Sequence, residues 1–99
     1  MGAMPHAARR DGIRAEVQRQ RAVAARLLAT AQHASIKEFV ARASHDLDDV
    51  IGLLGVDRAP ETESRWLSRI ELILDAAQSR LQIAEETLKT HGPNATLMP

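Results

Sequence analysis

The sequence predicts an all-α fold, a three-helix antiparallel bundle that can reach four helices by association. Three observations carry this prediction. Apolar residues recur at steps of three and four through long stretches, the spacing of one helical face. Helix start and stop residues punctuate those stretches. The composition, 44% hydrophobic and 26% charged, is that of a globular chain rather than a disordered one.

The first helix is expected from about Ile13 to Gln32. Its apolar positions Ile13, Val17, Ala24, Leu27, Leu28 and Ala31 form a narrow stripe on a basic rod, with Asp11 as the N-cap. The second helix is expected over 36–54, where Ile36, Phe39, Val40, Ala43, Leu47, Val50, Ile51 and Leu54 fill one face. Ser35 and Glu38 have capping-box spacing. Because no Gly or Pro separates Gln32 from Ser35, a single helix over 13–54 is the alternative. Gly55 is expected to close the second helix in a left-handed conformation, with Val56 folding back onto its last turn. The short loop to Pro60 implies an antiparallel return.

The third helix, over 61–90, has the clearest pattern. Leu67, Ile70, Leu74, Ala77, Leu81, Ala84 and Leu88 form an unbroken heptad seam. Pro60, Glu61 and Glu63 suit a helix start, and Gly92-Pro93 stops it. At 1.5 Å per residue this helix reaches about 43 Å against about 30 Å for the others, which predicts a stretch left uncovered within one chain. Residues 1–11 are read as a cloning remnant and flexible N-terminus, 12–91 as the bundle domain and 92–99 as a flexible linker.

With only Phe39 and Trp66 as aromatics, the core must be Leu, Ile, Val and Ala. The absence of cysteine removes disulfides, thiolate metal sites and Cys nucleophiles. No apolar run approaches the roughly 20 residues of a membrane span, and the expected location is cytoplasmic. Net charge is zero, yet residues 1–42 carry eight Lys/Arg against three Asp/Glu, and 43–64 carry one against six. Two meanings are open: complementarity between neighbouring elements, or a charged docking face.

Ser44-His45-Asp46-Leu47 resembles the phosphoacceptor box of sensor histidine kinases, in which a His followed by an acid stands on an exposed helix face. That resemblance implies a phosphotransfer and dimerisation domain using His45. Asp48-Asp49 departs from the basic or amide residues usual after the box, and the expected proline is absent. A surface histidine is the other reading. His45 with Asp48 and Asp49 also has the spacing of a one-helix metal site, but the set is oxygen-rich and lacks a second helix; no metal and no cofactor is expected. No nucleophile–base pair or Gly-rich phosphate loop stands out, so the chain reads as a non-enzyme without a small-molecule substrate. The arginines of the first helix are spread around it with no interleaved aromatic, which argues against nucleic acid, and its Ala-rich apolar face argues against a membrane surface.

The expected function is therefore protein–protein interaction, with a partner chain or by self-association through amphipathic helices. In plan, the helices over 36–54 and 61–90 and the tail from Gly92 to Pro99 are similar to the helical docking domains that join subunits of modular megasynthases. Trp66, Leu72, Ile73 and Ile83 widen the apolar surface of the third helix beyond its seam, and Trp66, Ile73 and Ile83 are the expected binding anchors. Asp46, Asp48, Asp49, Asp57, Glu61 and Glu63 are the acids expected to select a partner.

Overall fold

A computed structural model describes residues 6–56 and 60–97. Three helices account for most of them: α1 (His6–Thr30), α2 (Ala34–Leu54) and α3 (Pro60–His91). No strand occurs among the described residues. Among the described residues no helix is long and apolar enough to cross a membrane.

Each helix buries one heptad seam. Ile13, Val17, Gln20, Ala24 and Leu27 face inward from α1, Ile36, Val40, Ala43, Leu47, Val50 and Leu54 from α2, and the seam from Leu67 to Leu88 from α3. Steps of three and four keep a stripe on one side of a helix, so three such stripes can share one axis. Phe39 and Trp66 pack at the margin of this aliphatic core. α1 lies parallel to α3, with Arg9 reaching Glu71 near one end and Arg26 reaching Glu85 near the other. The body measures 50 × 21 × 21 Å, its long axis close to the length of α3, about 48 Å at 1.5 Å per residue.

Several expected boundaries move. α1 begins at His6, not near Ile13, so Asp11 and Gly12 lie inside it and Asp11 pairs with Arg14 instead of capping. The cause is tertiary: Arg9 and Arg10 find partners on other helices. Arg10 donates to Glu63 at 2.7 Å, to the Leu54 carbonyl at 3.0 Å and to the Val56 carbonyl at 3.5 Å. A cation thus sits at the C-terminal end of α2, where the helix dipole favours it, and satisfies orphan carbonyls. Gly55 is accordingly right-handed, φ −79° and ψ −8°, and Val56 is exposed rather than folded back. The chain turns there through Gly55 N–H donating to the Gly52 carbonyl and Val56 N–H donating to that of Leu53.

At the opposite end, α1 and α2 are separate helices. His33 caps α2 from an extended backbone, its Nδ1 accepting the Ser35 N–H at 3.1 Å, so α2 starts at Ala34 and Ser35 lies inside its first turn. The segment after α3 also differs from the linker expected there. Gly92, at φ +86°, adopts the left-handed conformation that glycine alone tolerates cheaply, and donates to the Leu88 carbonyl. The turn it begins sends residues 93–97 back over the α1–α2 corner. Gln32 N–H donates to the Pro93 carbonyl, Leu97 N–H donates to the Ser35 hydroxyl, and Ala95 is 6% exposed. Met98 and Pro99 lie outside the described residues. The α3 seam is buried from Leu67 to Leu88, so the uncovered stretch expected from helix lengths does not arise along it.

One seam position is polar. Gln20 is 1% exposed; its amide donates to Glu16 at 2.7 Å and to the Leu74 carbonyl at 3.4 Å, while Oε1 is buried without a partner among the described residues. A half-satisfied buried amide costs stability.

Two measurements follow from this packing. Leu74→Ala and Leu81→Ala remove mid-seam side chains and should each cost roughly 2–5 kcal/mol in denaturant unfolding. Gln20→Met keeps the length of the side chain and removes the orphaned oxygen, and should raise stability by about 1 kcal/mol.

Candidate interaction surface

The side chains expected to anchor a partner do not share one face. At 100° per residue, Trp66 and Ile73 stand on the same flank of α3, leaning toward the core, and both are half-buried against it. Ile83 stands on the outer face, and there it joins a residue the sequence analysis did not name as an anchor, Leu72. Leu72 is 67% exposed and Ile83 50% exposed, on a bundle whose other large α3 hydrophobics are covered. The signal for Leu72 was available: eleven residues is three helical turns, so Leu72 and Ile83 align.

The acidic positions are mostly turned to neighbouring helices. Asp46 meets Arg80 at 2.7 Å, Asp48 meets Arg21 at 3.3 Å and Glu63 meets Arg10 at 2.7 Å. Glu71 and Glu85, on α3, receive Arg9 and Arg26. The uneven charge along the chain is therefore matched between adjacent helices within one molecule. Asp57 lies outside the described residues, and Glu61 falls in the first turn of α3 with its side chain outside them.

His45 is exposed on α2, its side chain 77% accessible and its Nδ1 3.6 Å from Asp49. Ligand atoms of His45, Asp46 and Asp49 come within 4.8 Å of one another. Asp48, expected in that set, is directed to Arg21 instead, and the Asp46 carboxylate is held by Arg80. One histidine does touch a serine, His33 Nδ1 at 2.9 Å from Ser35 Oγ. That contact is the cap of α2, with the same nitrogen accepting the Ser35 N–H, and among the described residues no third group orients it for proton transfer. A groove between α1 and α3, lined by Arg9, Glu16, Gln20, Glu71 and Asp75, holds carboxylates. Two of them are occupied: Glu71 accepts two hydrogen bonds from Arg9, and Glu16 is bonded to Arg19 and Gln20.

The hydrogen bonds from Arg9 hold the Glu71 carboxyl below its ordinary value of 4.5, and those from Arg19 do the same for Glu16. A lowered folded value means the stabilisation is complete above the ordinary value and is lost as pH falls through the lowered one. Thermal melts should thus weaken below about pH 4.5, and Glu71→Gln should flatten that acid limb. At neutral pH its cost should stay under about 1 kcal/mol, because a carboxylate 42% exposed is screened by solvent.

Compared with known proteins, the chain matches no family model, no curated protein and no solved structure.

Proposed function

We propose that the chain is a non-catalytic protein–protein interaction module that docks or assembles through the outer face of α3. The observation supporting this is the pair Leu72 and Ile83, large apolar side chains 67% and 50% exposed on one face of a bundle whose core is complete without them. Burial of apolar surface is the dominant favourable term in association, so this face has the most to gain from a partner. The proposal extends to a docking domain of a multienzyme, supported by the plan of short-looped amphipathic helices. Trp66 and Ile73 border this face from the flank, half-buried against the core.

Light scattering of the chain alone and with candidate partner chains tests the reading. The double variant Leu72→Ser/Ile83→Ser should melt within about 0.5 kcal/mol of the parent, as surface changes do. It should also lose whatever assembly the parent forms. Assembly that persists in the double variant counts against this face. Trp66→Ala should lower stability with no partner present, because the ring packs on the core.

A second reading, histidyl phosphotransfer, is supported by the exposure of His45. Under the interaction-module reading, incubation with acetyl phosphate gives no phosphoryl adduct by mass spectrometry. An adduct that disappears in His45→Ala would put phosphotransfer first.

A further inference from the structure

α3 carries a second seam opposite its buried one. Arg69, Leu72, Ala76, Ser79, Ile83 and Glu86 follow at steps of three, four, three, four and three, and all six are exposed. That is coiled-coil spacing on a face that none of the described elements covers. The charges of this seam are also unused. Arg9, Arg10, Arg21, Arg26 and Arg80 all make ion pairs, whereas Arg69 and Glu86 make none within the described chain.

The order of residues in this seam is self-complementary on reversal. Read forward from Arg69 it runs base, Leu, Ala; read backward from Glu86 it runs acid, Ile, Ser. An antiparallel α3 from a second copy, related by a two-fold axis passing between Ala76 and Ser79, sets Leu72 against Ile83 of that copy. The same operation sets Ala76 against Ser79 and Arg69 against Glu86, and each pairing occurs twice. Small residues at the axis allow close approach, apolar pairs flank them, and opposite charges close both ends. A parallel pairing in register would instead stack Arg69 on Arg69 and Glu86 on Glu86, setting like charges against each other.

We propose that the occupant of this face is a second copy of the same chain, bound as an antiparallel two-fold dimer through α3. This rests on the interaction-module reading and names its partner. The seam from Arg69 to Glu86 is about 26 Å long, a single-helix contact, so the dimer belongs to the small and weak class of interfaces.

Sedimentation equilibrium of the full chain, from about 10 μM to about 1 mM, should show a concentration-dependent monomer–dimer equilibrium. Arg69→Glu and Glu86→Arg each place like charges at both symmetric contacts, and each should weaken dimerisation about tenfold or more. An equimolar mixture of the two variants restores opposite charges at both contacts and should recover the parent constant. So should the double variant Arg69→Glu/Glu86→Arg. Thermal melts of all variants should match the parent, since neither side chain serves the fold. Single variants that dimerise as well as the parent, or a mixture that fails to recover, overturn the antiparallel register. A parent that stays monomeric to about 1 mM overturns the second copy as occupant. In that event, a complex with another chain that requires Leu72 and Ile83 leaves the interaction-module reading standing, and a complex indifferent to both removes that reading as well.

Discussion

Three heptad seams of aliphatic side chains have to meet along one axis, and most other features of the molecule follow from that requirement. Without aromatics in the middle of the core, the buried volume comes from Leu, Ile and Val alternating with Ala24, Ala43, Ala77 and Ala84. Small residues at regular intervals let three helices approach closely over the length of the body, and each then has only one inward face. Gln20 occupies a seam position in α1 where an apolar residue would complete the series. Its amide is tolerated because Glu16 and the Leu74 carbonyl accept from it.

A core drawn out over such a length is vulnerable at its ends, and each end is closed differently. At one, Arg10 joins all three helices by bonding Glu63 and the carbonyls that finish α2. At the other, the chain after α3 folds back through Gly92 and lays Ala95 and Leu97 over the α1–α2 corner. The first closure supplies a donor to carbonyls at the end of α2, and the second ties the Gln32 N–H to the Pro93 carbonyl and the Leu97 N–H to the Ser35 hydroxyl. They also explain why segments that look peripheral in sequence belong to the folded body.

The charged groups follow the same logic. The basic α1 and the acidic stretches of α2 and α3 neutralise one another across helix boundaries, and partly exposed pairs of this kind contribute modestly to stability while fixing which helix faces which. Among the groups this leaves without an intramolecular pair, Leu72, Ile83, Arg69 and Glu86 stand in one line on the outer face of α3. A helix with one seam inward and another outward is suited to be both a structural member and a contact surface.

Fold class, helix count, the inward seams of α2 and α3 and the position of α3 were legible in the residues themselves, because heptad spacing is a local property that survives in any tertiary setting. The start of α1, the caps at His33 and Gly55 and the path of residues 92–97 were not. The His33 cap is a local contact of a residue type not expected there, with Ser35 two positions on, whereas the others depend on distant partners: Arg10 with Leu54 and Glu63, Gln32 with Pro93, Ser35 with Leu97. The candidate surface divides along the same line. The spacing of Leu72 and Ile83 is written in the sequence, but their exposure, the packing of Trp66 and Ile73 and the pairing of Asp46, Asp48 and Glu63 were decided only when three helices came together. Periodicity says which residues share a face of one helix; only packing says which faces meet.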